Sequence, residues 1–367
     1  MSAAGCRRRA AKDAWPIIAI VVAWGCTSGC TSGGTSPSRG IAASAVEAAN
    51  FAMPGLPVVS DATRDERILA LDPENISAAQ VREMLAAAPA PRIVALQGSV
   101  TFVTMEPLAQ FLVAMGYPEA RLRNPADGSL SYSSFADSAR LAGVLAWHYE
   151  REGMMPMLIG HSQGGMLAIR VLHELAGEFH SSIDVWNPLE DRDEGRAWIT
   201  DPVDGKRRDV IGLKVGFASA LATGKLPRIF LGQWSMLGKL RQIPDSVVDF
   251  TGVIILWDPI AGTFPGGEPY RAQGSANVRN VELPAGTSHI GLPDMRTLGR
   301  DPATRAAIDA YRPVADGSAS ALEGVVVDEP GKLVAAAELW YGVKKHWCLE
   351  AQRVIRARRA HAASTPR

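Results

Sequence analysis

The sequence has few cysteines and no net charge. Four of its 367 residues are Cys, and Cys6, Cys26 and Cys30 fall near the N-terminus while Cys348 lies near the C-terminus. This distribution implies no disulfide framework and no metal site built from paired cysteines, so stability must come from a hydrophobic core. The formal net charge is zero. Without a global basic field, nucleic acid is not expected as a partner.

The short motifs on which metal and nucleotide chemistry depend are also missing. The sequence has no His-x-x-x-His motif, and no Gly-rich phosphate loop follows a predicted strand. We therefore expect no metal and no cofactor. Apolar residues are abundant instead: 47% of the chain is hydrophobic and 21% is charged. That content supports a large core, in one large domain or two ordinary ones.

The first 25 residues have the pattern of a secretory signal peptide. Arg7, Arg8, Arg9 and Lys12 form a basic cluster ahead of an apolar segment at 15–24, and small residues follow. About ten apolar residues are too few for a comfortable membrane span. We therefore expect residues 1–25 to direct export and then to be removed.

The end of this segment, Ala23-Trp24-Gly25-Cys26, resembles a bacterial lipoprotein processing site, which implies lipid attachment at Cys26. Cys30 is a second candidate, and simple secretion or an uncleaved anchor are alternatives. Residues 26–60 begin with a stretch rich in Ser, Thr, Gly and Pro, which predicts a flexible tether and a leading segment. The expected location is the cell envelope, with membrane contact through the N-terminal lipid.

Strand and helix signals alternate along the middle of the chain. Short apolar runs that precede turn residues predict buried strands, and they lie at 92–96, 154–159, 217–223, 253–258 and 278–283. Helical patterns lie between or beside them, at 77–87, 107–115, 132–152 and 166–176. A further short strand is expected at 121–124 and a hairpin turn at 201–205. The alternation predicts an α/β protein with a mostly parallel sheet covered by helices on both faces.

Residues 154–177 carry the most informative pattern. Gly160, Ser162 and Gly164 form Gly-x-Ser-x-Gly between an apolar run and a helical pattern. A serine on such a sharp turn needs neighbours without side chains, so that strand and helix can approach while Ser162 points outward. The helix that follows aims free backbone N–H groups at negative charge beside the serine. The pattern predicts a nucleophile elbow; a Gly-rich turn that merely joins two buried elements is the alternative.

At these residues the chain resembles the α/β-hydrolase superfamily, and 160–165 is most similar to the elbow of bacterial lipases and esterases. The resemblance covers roughly 92–300 and implies the α/β-hydrolase fold. We expect a hydrolase domain at 61–315 with a cap-like insertion at about 178–250. A C-terminal helical extension with a basic tail is expected at 316–367. The superfamily's chain order is nucleophile, acid, histidine, and Ser162, Asp258 and His289 follow it.

Each of these residues has a chemical reason to be there. A serine hydroxyl is a poor nucleophile at neutral pH, so His289 is expected to take the proton of Ser162. Asp258 would orient that histidine and stabilise the imidazolium. Nearby carboxylates compete with Asp258 for this role, namely Asp245, Asp249, Glu268 and Asp294.

Two backbone N–H groups are candidates for the oxyanion hole. One is that of Gln163, directly after the serine. The other is that of Ser99, because Gln97-Gly98 stands where many hydrolases of this class have His-Gly before the second donor. An ordinary turn after the strand is the alternative for 97–99.

These residues predict a serine ester hydrolase of the lipase or esterase kind, acting on a small-molecule or lipid ester. A thioesterase, an amidase or an acyltransferase with the same triad is an alternative, as is a non-catalytic envelope lipoprotein on a hydrolase scaffold. The apolar segment 227–243 predicts either a cap over an acyl pocket or a helix of the main core. The sequence does not set acyl chain length or oligomeric state.

Overall fold

The structure is a computed structural model that describes residues 62–224, 234–263, 267–313 and 322–364. The predicted signal peptide, the tether and both candidate lipidation sites, Cys26 and Cys30, lie outside these ranges. So do residues 225–233 of the predicted cap segment.

A parallel sheet lies at the centre of the described chain. Its strands are β1 (Ile93–Leu96), β2 (Met157–His161), β7 (Val215–Leu221), β9 (Val247–Ile255) and β11 (Asn277–Leu283). They lie in the order β1, β2, β7, β9, β11, and each neighbouring pair is parallel. The prediction of an α/β protein with a mostly parallel sheet is confirmed.

Helices flank this sheet. They are α1 (Ala62–Leu69), α2 (Ala78–Glu83), α3 (Glu106–Met115), α4 (Ser138–Glu152), α5 (Gln163–Leu175), α6 (Arg296–Arg300), α7 (Pro302–Ala310) and α8 (Pro330–Ser364). Helix α2 is capped at its N-terminus, where Ser77 and Gln80 form a reciprocal capping box. In the described ranges no helix is long and apolar enough to cross a bilayer.

Six short strands lie outside the central sheet in the described ranges. They are β3 (Trp186–Asn187), β4 (Arg192–Asp193), β5 (Trp198–Thr200), β6 (Arg207–Asp209), β8 (Gln242–Ile243) and β10 (Arg271–Ala272). Strands β3 and β4 are antiparallel, whereas β8 and β10 are parallel. Strands β5 and β6 form the hairpin predicted around 201–205. Its turn is closed by the Asp201 N–H, which donates to the Lys206 carbonyl at 2.8 Å.

Successive side chains of the sheet strands pack into two hydrophobic cores, one on each face of the sheet. Ile93 and Ala95 of β1 belong to the core that contains α3 and α8, whereas Val94 and Leu96 belong to the core that contains α4 and α5. Strand β1 therefore has no polar face, because helices cover both of its sides. The same double burial explains why the run before Gly160 shows no alternation of apolar and polar residues.

The last helix belongs to the main core. Trp340 and Trp347 of α8 are both fully buried in the core that also holds Phe217 of β7. The segment 316–367, expected as a C-terminal extension, thus contributes a helix that packs on the central sheet. Strand β7, which was predicted at 217–223, lies inside the range 178–250 expected as a cap-like insertion.

Two local predictions were wrong. Residues 121–124 are not a strand: a 3₁₀ turn covers Glu119–Arg121, and Asn124 accepts a hydrogen bond from the Gly128 N–H at 2.8 Å. Asn, Asp and Gly at 124–128 favour this turn. The helix expected from 132 begins at Ser138, because the Asp137 carboxylate caps it by accepting from the Arg140 N–H at 2.8 Å.

Candidate active site

Ser162, Asp258 and His289 meet at the carboxyl edge of the sheet. They follow β2, β9 and β11, and parallel strands bring their carboxyl ends to one edge. Nε2 of His289 lies 3.0 Å from the Ser162 Oγ, and Nδ1 lies 2.5 Å from Asp258 Oδ2. An ionised carboxylate only accepts hydrogen bonds, so Nδ1 donates to it and Nε2 accepts from the serine hydroxyl. The three predicted residues thus form one hydrogen-bonded line.

Ser162 stands on a strained turn. Its φ of 52° and ψ of −117° are rare for a residue with a side chain and cost on the order of 1–3 kcal/mol. A Cβ at Gly160 would collide with the Gly164 carbonyl, and one at Gly164 would collide with the Leu96 carbonyl. Both glycines are therefore needed for the close approach of strand and helix that the sequence predicted.

Strained backbone recurs along the same edge. Ser162, Ala222 and Trp257 have φ values of 52°, 50° and 58°, and they directly follow or nearly follow the ends of β2, β7 and β9. A positive φ is unfavourable for each of these residue types. Such strain clusters where a site demands an unusual backbone. Three neighbouring strands here turn sharply at the point where the candidate catalytic groups are held.

The Asp258 carboxylate is held ionised. Burial acts to raise its pKa, but the hydrogen bond from His289 and the N–H groups of Ala261 and Ile260 outweigh burial, so the pKa lies below its usual range. The two N–H groups donate to Oδ1 at 3.1 Å and 2.9 Å. Oδ2 remains for the imidazole. This carboxylate therefore orients the imidazole of His289.

Three of the carboxylates that compete with Asp258 in the sequence have other partners. Asp249 lies near the amino end of β9, where its carboxylate is 2.8 Å from His346 Nε2. Asp294 pairs with Arg296 at 2.7 Å. Asp245 accepts from backbone N–H groups, including that of Ala276 at 3.1 Å. Asp258 is the carboxylate that the fold brings to His289.

The two predicted oxyanion donors belong to the first residue of α5 and to the turn after β1. Gln163 is the first residue of α5, so its backbone N–H has no acceptor within the helix. The turn after β1 lies against the elbow, since a Cβ at Gly98 would stand 3.4 Å from Ser162 Cβ, and Ser99 follows directly. Ser134 Oγ donates to the Gly98 carbonyl at 3.2 Å and holds this turn. Gln163 therefore directly follows Ser162, and the turn that leads to Ser99 lies against the elbow.

Two residues of the site were not singled out from the sequence. Thr223 Oγ1 donates to the Ser162 carbonyl at 3.0 Å and so supports the strained elbow from the end of β7. Nε2 of His161 lies 2.9 Å from the His289 carbonyl. The position of His161 directly before Ser162 indicates in the sequence that it lies close to the site. Nothing in the sequence ties Thr223 to Ser162, because their contact depends on strand order.

Five large apolar side chains are exposed on loops at this edge of the sheet. Phe102 is 79% exposed, Phe135 61% and Trp257 57%, while Ile260 and Ile290 are each 45% exposed. They lie on the loops that carry Gly98, Asp258 and His289 or that contact them. Large apolar groups left in water at one edge of a fold commonly mark a binding surface. We call these five residues the apolar rim.

Metal-ligating groups do not converge in the part of the chain that the structure describes, where no cluster of three or more His, Cys, Asp or Glu residues is arranged to hold an ion. No family model matches the sequence, and no curated protein matches it significantly. The activity has therefore to be inferred from the chemistry of the site.

Proposed function

We propose that the protein is a serine ester hydrolase with the α/β-hydrolase fold, of the lipase or esterase kind. The observation that carries the proposal is the line from Asp258 through His289 to Ser162, on a strained Gly-x-Ser-x-Gly turn between a strand and a helix. The chain order of nucleophile, acid and histidine supports the same superfamily.

Acylation begins when Ser162 Oγ attacks the carbonyl carbon of the ester and passes its proton to His289 Nε2. Asp258 stabilises the imidazolium that results. The carbonyl oxygen becomes an oxyanion, which the N–H groups of Gln163 and Ser99 are proposed to bind; one such donor is typically worth about 3 kcal/mol of barrier. The tetrahedral intermediate then breaks its bond to the alcohol oxygen, and His289 gives that oxygen the proton.

Deacylation repeats these steps with water. His289 Nε2 takes a proton from a water molecule whose oxygen attacks the acyl carbon. The second tetrahedral intermediate breaks its bond to Ser162 Oγ and releases the carboxylic acid. The proton on His289 returns to the serine oxygen, which restores the resting site without any cofactor.

The apolar rim favours esters with apolar acyl or alcohol groups. Phe102, Phe135 and Trp257 expose large aromatic surfaces on these loops, and burying apolar area contributes roughly 25 cal/mol per Å². A small-molecule or lipid ester is therefore the proposed substrate. The same triad would also transfer or cleave other acyl groups, such as those of thioesters and amides.

Hydrolysis of a panel of p-nitrophenyl esters from acetate to palmitate tests the proposal. We expect turnover by the wild-type protein, and its loss by about 10⁴-fold or more in Ser162→Ala and in His289→Ala. Ser219→Ala is the matched control, since Ser219 is also buried, at 1% exposed, but donates to the Thr251 carbonyl of the sheet. Turnover by Ser162→Ala at the wild-type rate would refute the assignment.

We also propose that the chain is exported and held in the cell envelope by a lipid on Cys26. The support is the basic cluster, the apolar segment and the Cys that follows small residues. Detergent phase partitioning should move Cys26→Ala into the aqueous phase, whereas Cys30→Ala should remain with the detergent. The reverse result would assign the lipid to Cys30.

A further inference from the structure

His161, the last residue of β2, is tied to the catalytic loop. Its Nε2 lies 2.9 Å from the backbone carbonyl oxygen of His289. Because a carbonyl oxygen only accepts hydrogen bonds, Nε2 of His161 must carry a proton and donate it. The two imidazole rings lie 5.1 Å apart between centroids. The residue before the nucleophile is thus bonded to the backbone of the residue that deprotonates it.

The ring of His161 is neutral. Burial lowers its pKa to about 3, and the neighbouring His289 acts in the same direction. With the proton on Nε2, Nδ1 carries a lone pair of electrons and can only accept a hydrogen bond. Nδ1 is buried and has no hydrogen-bond partner among the residues that the structure describes. A buried acceptor without a partner reduces stability, so packing alone does not explain a histidine at this position.

We propose that His161 is a positioning residue that fixes the backbone of His289 through its Nε2–H. The inference rests on the proposed hydrolase function. The imidazole of His289 must keep two contacts at once, 2.5 Å to Asp258 and 3.0 Å to Ser162. Its loop is anchored to the elbow by the His161 hydrogen bond. Without that bond the imidazole is free to shift relative to the serine.

Two substitutions separate positioning from packing. His161→Leu keeps an apolar side chain in the buried space and removes the donor. His161→Gln keeps an N–H at a similar distance from the backbone, because the glutamine amide reaches about as far as Nε2 of histidine. A role in packing predicts similar effects of the two changes, whereas a role in positioning predicts that only leucine is harmful.

The kinetic test uses the purified full-length protein and one p-nitrophenyl ester. We expect His161→Leu to lower kcat by about 10- to 100-fold, the loss that a small misplacement of a catalytic group causes, while KM stays within about twofold. His161→Gln should recover kcat to within about threefold of wild type. Equal losses in the two variants, or a change in KM alone, would overturn the proposal.

His173 supplies a matched control. It is fully buried like His161, and its Nε2 lies 3.2 Å from the Lys239 carbonyl, away from the triad. His173→Leu should lower the unfolding temperature and leave kcat of the folded protein unchanged. If His173→Leu lowers kcat as strongly as His161→Leu does, the effect belongs to core packing.

A second measurement does not depend on turnover. Nitrogen NMR of histidine-labelled Ser162→Ala protein should show His161 as the Nε2–H tautomer across the neutral pH range. A His161 ring with its proton on Nδ1, or one that titrates near pH 6.5, would refute the hydrogen bond. Absence of ester hydrolysis in the wild type would instead refute the hydrolase function, so the two failures are distinguishable.

Discussion

Replacement of Asp258 by asparagine tests the electrostatic part of the site with little change of shape. The side-chain oxygen of the asparagine can still accept from the N–H groups of Ile260 and Ala261, which in the wild type donate to Oδ1 at 2.9 Å and 3.1 Å. The amide NH₂ then faces Nδ1 of His289. Two donors cannot bond to each other, so the imidazole moves its proton to Nε2 and presents N–H to Ser162.

A histidine in that tautomer cannot accept the serine proton. Comparable substitutions in serine hydrolases lower kcat by about 10⁴-fold, which corresponds to about 5 kcal/mol of barrier. We therefore expect Asp258→Asn to lose kcat by about 10³- to 10⁴-fold on a p-nitrophenyl ester, with an unfolding temperature close to wild type. Asp294→Asn, which breaks an ion pair with Arg296, is the control and should keep kcat within about twofold. A folded Asp258→Asn protein with kcat within about threefold of wild type would refute the role of Asp258.

Two further changes test the elbow and the core. Thr223→Val removes the hydroxyl that donates to the Ser162 carbonyl at 3.0 Å. It should destabilise the protein by about 1 kcal/mol and slow the reaction of Ser162 several-fold, whereas Thr223→Ser should behave as wild type. Equal behaviour of the two variants in denaturant titrations and rate assays would contradict this role of Thr223. Burial lowers the pKa of Lys344 to about 8, and Arg312 acts in the same direction. Between that pH and about 10.4, the folded state therefore binds fewer protons than the unfolded state. The free energy of unfolding should rise with pH across this window. The change is about 3 kcal/mol, since a difference of one in pKa corresponds to about 1.4 kcal/mol, and Lys344→Met should remove the rise; a wild-type curve parallel to that of Lys344→Met would refute the account.

The sequence predicted the central sheet and the meeting of Ser162, Asp258 and His289 for a shared physical reason. Strands buried on both faces appear as short apolar runs, and parallel strands end at one edge. Ser162, Asp258 and His289 each follow such a run, so their approach could be expected before any contact was known. The need for glycine at 160 and 164 could likewise be predicted, because it depends only on the turn around Ser162.

Contacts that join distant segments were not predictable in this way. Thr223 bonds to Ser162 and His161 bonds to His289 only because the strand order brings these residues together. The positive φ of Ala222 and Trp257 arises at the same carboxyl edge of the sheet. Helix α8 was expected as an extension because its pattern gives no sign of what it packs against. Residues 121–124 were wrongly predicted as a strand, since Asn124 already belongs to the turn that Gly128 closes.

Covalent labelling tests the central claim most directly. A fluorophosphonate reacts with a serine only where a neighbouring base activates it, so intact mass and peptide mapping report Ser162 itself. We predict one adduct per folded wild-type chain, at Ser162, and none in Ser162→Ala. A folded wild-type protein that takes up no label, or a Ser162→Ala variant that labels equally well, would contradict the assignment of a serine hydrolase.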